Sequence, residues 1–182
     1  TGALPDRIEF PLIKQEEPQS FRVVLIADPQ PESGQEVEYV RRDVLGELPQ
    51  AGAAFGITLG DIMFDHLNLF DMYNRAVGRV GIPFYNVIGN HDINYDATTD
   101  RNSDDTYNRI FGPTNYSVDY ARVHFVALDN SRWKGNPEST GNYEETFEPE
   151  QMEWLRKDLE FVPEDYIVVI CTHATIWVAT RA

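Results

Sequence analysis

Aspartate, asparagine, glutamine and histidine recur at one kind of place in this chain: directly after a short apolar run. Residues 21–27 (FRVVLIA) lead into Asp28-Pro29-Gln30, and Phe55–Leu59 (FGITL) leads into Gly60-Asp61. Residues 83–88 (PFYNVI) lead into Gly89-Asn90-His91-Asp92, and residues 166–171 (YIVVIC) into Thr172-His173. Apolar runs of this length, rich in β-branched residues, read as buried strands. In open α/β sheets, ligands bind just outside the carboxyl ends of the strands. The strand ends therefore direct Asp28, Gln30, Asp61, Asn90, His91 and His173 toward one crevice. These are oxygen and imidazole donors with no thiolate among them, a set that suits Mn, Fe, Zn or Mg. Gly60 and Gly89 each stand one position before the polar residue, where the missing Cβ permits a tight turn beside a ligand. A lone Gly-Asp carries little information. The ordered set at successive strand ends carries much more.

The segments between these runs must position them. Residues 36–48 place Val37, Val40, Val44 and Leu48 at helical spacing, and residues 67–80 do the same with Leu67, Phe70, Tyr73, Val77 and Val80. The resulting β-α-β-α-β order predicts a parallel sheet with right-handed crossovers. The second half differs. Residues 103–110 suggest a short helix. Tyr116–Tyr120 and 124–129 alternate around Ala121-Arg122 and predict a hairpin. Residues 131–147 are polar and read as a long loop. Pro149–Leu159 is a helix with proline near its start. The expected fold class is therefore α/β: two mixed β-sheets packed face to face, with flanking helices. Residues 1–20 read as an arm or interdomain linker, with one short strand around 7–12, and residues 21–182 as the domain. No internal repeat is visible.

Composition bounds the function. The 182 residues suit one domain, and 42% hydrophobic with 12% aromatic content argues against disorder. No apolar run approaches the ~18 residues of a membrane span. The N-terminus carries no signal segment, but a mature exported chain would lack one too, so the compartment stays open. Asp+Glu number 30 against 15 Lys+Arg, a net charge of -15. That field repels nucleic acid and is compatible with a cation site, although solubility accounts for most of it. Cys171, the sole cysteine, excludes an intrachain disulfide and a zinc-thiolate cluster, and its apolar setting reads as a buried small side chain.

In this order, the motifs resemble those of the calcineurin-like metallophosphoesterases. That superfamily carries D-x-H, G-D, G-N-H-[D/E], a later lone histidine and a final G-H-x-H. Here the counterparts are Asp28-Pro29-Gln30, Gly60-Asp61, Gly89-Asn90-His91-Asp92 and His173, so the resemblance runs from Phe21 to His173. The Gly-Asn-His-Asp motif is its most specific piece, and the segment from Glu150 to Leu155 also looks like the family's helix before the last strand. Two departures matter. Gln30 replaces the first-motif histidine; its carboxamide oxygen can still ligate a hard cation, with a hydrogen bond to Asp28 or water as the other reading. No G-H-x-H follows His173 before Ala182. The expectation is a fragment of a longer protein, incomplete at the C-terminus, with further domains possible on either side.

The resemblance implies two divalent ions (Mn, Fe, Zn or Mg), with Asp61 bridging them. It assigns Asp28 and Gln30 to the first ion and Asn90 and His173 to the second. It implies hydrolysis of a phosphomonoester or phosphodiester by a two-metal-activated hydroxide. His91 would donate to the phosphate or the leaving group, and Asp92 would orient the His91 ring. The alternative is a catalytically inactive fragment or binding module that keeps the fold and holds at most one structural cation.

Other residues read as ordinary structure. Asp65 and His66 look like a solvent-facing helix start, with support of the site as the alternative. His124 lies within a strand pattern and reads as structural. The stretch from Asp92 to Thr98 mimics an EF-hand loop but fails at Ala97, where glycine is needed, and at Ser103, where glutamate is expected. Asn115-Tyr116-Ser117 is a glycosylation sequon inside a predicted strand. Loops 92–103 and 131–148 hold Tyr95, Arg101, Arg132, Trp133 and Tyr143, which either shape substrate specificity or pack.

Overall fold

A computed structural model of the chain describes residues 16–135 and 143–176. The strand expected around 7–12 lies outside the described residues, and residues 16–20 form neither helix nor strand. Strands β1 (Val23–Ile26), β2 (Phe55–Leu59) and β3 (Phe84–Val87) pair in parallel in the order β1-β2-β3. Helix α1 (Gly34–Tyr39) joins the first two, and α2 (Phe70–Val77) joins the second and third. Ser33 caps α1 by accepting from the Glu36 amide at 3.3 Å. The helix expected over 36–48 does not keep one pitch. After α1 it widens into a π turn over 40–44, then tightens to 3-10 over 45–50. Gly46 and Pro49 lie in that last stretch, and proline has no N–H to continue an α-helical ladder.

The second sheet has the order β4-β5-β8. Strands β4 (Tyr116–Tyr120) and β5 (Val123–Ala127) form the expected antiparallel hairpin, turned at Ala121 with φ of 52°. Strand β8 (Ile167–Cys171) pairs parallel to β5. The first sheet is thus parallel throughout, and the mixing of directions is confined to the second. Short helices α3 (Asp100–Ser103) and α4 (Asp105–Phe111) precede β4. The polar stretch read as a loop holds two short strands, β6 (Ser131–Trp133) and β7 (Tyr143–Glu145), paired antiparallel. Their three-residue length and mixed composition left no periodic signal. Helix α5 (Pro149–Leu159) follows, with proline at its start and the Glu148 amide donating to Gln151 Oε1 at 2.6 Å.

Strand alternation sorts the core into two layers. Phe55, Ile57 and Val87 of the first sheet meet Phe125, Ala127 and Cys171 of the second, so the sheets pack face to face. The Phe55 and Phe125 rings meet edge-on at 5.2 Å. The other face of the first sheet, with Val24 and Ile26, packs under the helices against Val37, Phe70, Tyr73 and Val77. Each such side chain contributes about 1.5–3 kcal/mol on burial. Cys171 is buried as expected, and burial pushes its thiol up to about 11. Among the described residues, no helix is long and apolar enough to cross a membrane.

Candidate metal centre

The carboxyl ends of β1, β2, β3 and β8 open onto one corner, and the backbone there is forced. Asp28, Gln30, Asp61 and Asp65 all have positive φ, between 39° and 60°. Such values cost non-glycine residues on the order of 1–3 kcal/mol each, and they concentrate where a site over-determines the chain. Two glycines are required by contact. A Cβ on Gly60 would sit 2.6 Å from the His173 ring, and Gly60 itself has φ of 83°. A Cβ on Gly89 would sit 2.2 Å from the Asp61 amide nitrogen and from its Oδ1.

Asp61 is the hub. It is 2% exposed, yet its carboxylate accepts from the Gln30 Nε2, from the His91 amide at 3.0 Å, and from His173 Nε2 at 3.3 Å. Burial alone would raise its pKa; the hydrogen bonds from His173, His91 and Gln30 outweigh burial and hold it below the usual carboxylate range. The His173 ring is oriented from its far side. Its Nδ1 lies 3.0 Å from the Leu59 carbonyl, which can only accept, so Nδ1 carries the hydrogen. Nε2 then faces Asn90 Oδ1 at 3.1 Å as well as Asp61. Burial works against charge on this ring, but the Asp61 carboxylate outweighs it and raises the imidazole to about 9.

Ligand atoms of Asp28, Asp61 and His173 all lie within 4.8 Å of one another. Two carboxylates and an imidazole whose other nitrogen is tied to a carbonyl make a donor set suited to a divalent cation. Asp28 is exposed, so the corner is open to solvent on its β1 side. Gln30 sits against Asp61 rather than against Asp28, donating to the carboxylate through its carboxamide nitrogen. Its main-chain amide also donates to the Asp61 carbonyl at 3.1 Å.

Asp65 orients the His91 ring, not Asp92. The Asp65 carboxylate lies 2.7 Å from His91 Nδ1, and Phe64 stacks on the ring with centroids 4.2 Å apart. Nδ1 is therefore the protonated nitrogen, and Nε2 has no hydrogen-bond partner among the described residues. Tyr95 closes the same side, donating to the Asn90 carbonyl at 2.9 Å. Asp92 is fully buried and points away. It accepts from the amides of Ile62 and Met63, each at 3.1 Å, and of Gly89 at 2.9 Å. It thereby clamps the loop after β2 to the loop after β3, and burial pushes its carboxyl up to about 7. The solvent-facing reading of Asp65 fails because its φ of 60° turns the side chain back toward His91. His66 is exposed, as expected. A sequence signal for Asp65 did exist: it is the first carboxylate after the Gly-Asp motif.

The loop residues mostly pack. Trp133 is buried, donates its indole N–H to the Ala97 carbonyl at 2.8 Å and lies 5.3 Å from the Tyr95 ring. Arg132 pairs with Glu148 at 2.5 Å. Tyr95 is the aromatic of this group set directly beside His91.

No family model matches this sequence, and no curated protein matches it. Among solved structures, the fold is similar to that of a dimetal phosphatase from Danio rerio, with a TM-score of 0.57 and 18% identity. The match covers 85% of this chain and 70% of that one. At that identity the likeness establishes the fold, an α/β sandwich of the kind that dimetal phosphatase has.

Proposed function

We propose that this chain carries the metal-binding site of a phosphoester hydrolase. The observation that carries the proposal is the convergence of Asp28, Asp61 and His173 at strand ends, with His91 held beside them by Asp65. The electrostatics point the same way. Asp28, Asp61 and Asp65 crowd the corner, and the residues that form it include no lysine or arginine. A phosphoester is an anion and would be repelled from such a corner unless cations neutralise it.

Asp61 would bridge two ions, Asp28 and Gln30 would hold the first, and Asn90 and His173 the second. For Gln30 this requires its carboxamide to turn its oxygen inward. Bound divalent cations would supply charge neutralisation for the phosphoryl group and lower the pKa of water. Leu59 keeps a proton on His173 Nδ1, so Nε2 is the nitrogen that would give up its proton and present a lone pair to a cation. Asp65 keeps the proton of His91 on Nδ1; protonated also at Nε2, the ring can donate to a phosphate oxygen or to the leaving group. Asp92 holds the two loops in register. The substrate class is a phosphomonoester or phosphodiester.

The test is hydrolysis of p-nitrophenyl phosphate by the full-length protein with Mn2+, alone and as Asp61→Asn. Metal-dependent turnover lost in the variant is expected. A metal-loaded sample inert toward every phosphoester class would end the enzyme reading.

A further inference from the structure

Resting on the reading of His173 as a ligand, we infer that Asn130 is a positioning residue that fixes the His173 loop for metal binding. The backbone ladder between β5 and β8 continues only as far as the Leu128 amide, which donates to the Cys171 carbonyl at 3.0 Å. Beyond that rung the loop carrying His173 must be held some other way. Asn130 is 4% exposed, and its carboxamide takes over. Its Nδ2 donates to the Ala174 carbonyl at 2.9 Å, and its Oδ1 accepts from the Ala174 amide at 3.1 Å. A carboxamide has the donor and acceptor geometry of a peptide bond, so Asn130 pairs with Ala174 as a neighbouring strand would. Thr172 Oγ1 adds a second donor to the same carbonyl at 3.1 Å.

The consequence falls on the residue between them. The His173 backbone is anchored on one side by the Cys171 rung and on the other by the Asn130 pair. Its ring is wedged against Gly60 and tied to Leu59. From that backbone position Nε2 reaches Asp61 and Asn90. Misplacement by about 1 Å is enough to cost a constellation of this kind much of its function. Aspartate at position 130 could not donate to the Ala174 carbonyl, and alanine would leave both backbone groups of Ala174 without this partner. Asn130, three residues past the end of β5, is therefore part of the site's machinery although it touches none of the candidate ligands.

The test measures Mn2+ affinity of the full-length protein by calorimetry, with folding followed by circular dichroism. Asn130→Ala is expected to weaken Mn2+ binding by roughly 10–100-fold, the range for residues that orient a ligand. Thr172→Val, which removes a single donor, should weaken it by about 3-fold and remains informative if Asn130→Ala fails to fold. In a His173→Asn background, Asn130→Ala should add little further loss, because it acts through His173. The metal-free protein gives a second readout: the hydrogen-bonded His173 Nδ1–H resonance should shift or broaden in Asn130→Ala. Unchanged Mn2+ affinity in folded variants, or fully additive losses with His173→Asn, overturns the inference and leaves the proposed function standing. If the wild-type protein binds no Mn2+, the proposed function and this inference fall together.

Discussion

His124 and His173 each lie close to carboxylate oxygens, at 2.7 and 2.8 Å for His124 and at 3.3 Å for His173, yet they are built for opposite ends. His124 stands in the regular ladder of β5, with Asp119 of β4 on one ring nitrogen and Asp158 of α5 on the other. Both partners are acceptors, so both nitrogens donate, the ring is an imidazolium, and no lone pair remains. Ser117 also donates to Asp158, at 2.9 Å, completing a strap between helix and sheet. His173 gives one nitrogen to a main-chain carbonyl and turns the other toward Asp61 and Asn90, oxygens that can ligate a cation, so a bound cation would take the place of its Nε2 proton. Around it the backbone is forced into positive φ, whereas around His124 it is ordinary strand. A histidine beside an aspartate is thus a poor signal by itself. A ring anchored through Nδ1 to the main chain, with its other nitrogen among candidate ligands and strained backbone around it, separates a candidate ligand from a strap.

Substitutions should break this contrast in graded steps. The largest effect is expected from Asp61→Asn, which removes the hub: metal-dependent phosphoester hydrolysis should fall by at least ~10³-fold, about 4 kcal/mol of transition-state stabilisation. Folding of the variant is checked by circular dichroism, since it also gives up the buried charge that faces His173. Next is His91→Ala, expected to lower kcat by roughly 10²-fold while Mn2+ affinity stays near wild type, since its proposed role is proton donation. Asp65→Asn should cost about 10-fold in kcat, because the His91 ring loses the carboxylate that orients it; an unchanged kcat would detach Asp65 from the site.

The smallest functional effect, and the sharpest contrast, belongs to His124→Leu. It should leave Mn2+ affinity unchanged and cost about 2 kcal/mol of stability at pH 6, as for breaking a partly buried ion pair. Burial lowers the charge preference of His124, but its hydrogen bonds to Asp119 and Asp158 raise its pKa above 6.5. The unfolded ring titrates near about 6.5. The strap's contribution is therefore fully present below that pH and fades as pH rises through the raised folded value. Denaturant melts of wild type and His124→Leu across pH 6–10 should converge toward high pH. A gap that widened with pH would contradict the imidazolium strap.

Much of this was legible in the sequence. Residues 21–27, 55–59, 83–88 and 166–171 are apolar and β-branched, and each holds a strand whose end carries the polar residue that marked it. The crevice could be named because period and position agree there. What stayed hidden depended on side-chain direction. Adjacency ties Asp92 to His91 in the sequence, but the side chain turns inward to the amides of Ile62, Met63 and Gly89. Asp65 reads as a helix start because a positive φ leaves no trace in composition. Asn130 follows an unremarkable strand, and its pairing with Ala174 joins segments 44 residues apart. Strands β6 and β7 were too short for any alternation to register.

The central claim is that Asp61 and His173 belong to a two-cation centre. Anomalous diffraction from Mn2+-soaked crystals of the full-length protein tests it most directly. The account predicts two peaks about 3.5–4 Å apart, with Asp61 between them and His173 Nε2 bound to one. A single peak, or none within bonding distance of Asp61, would contradict it.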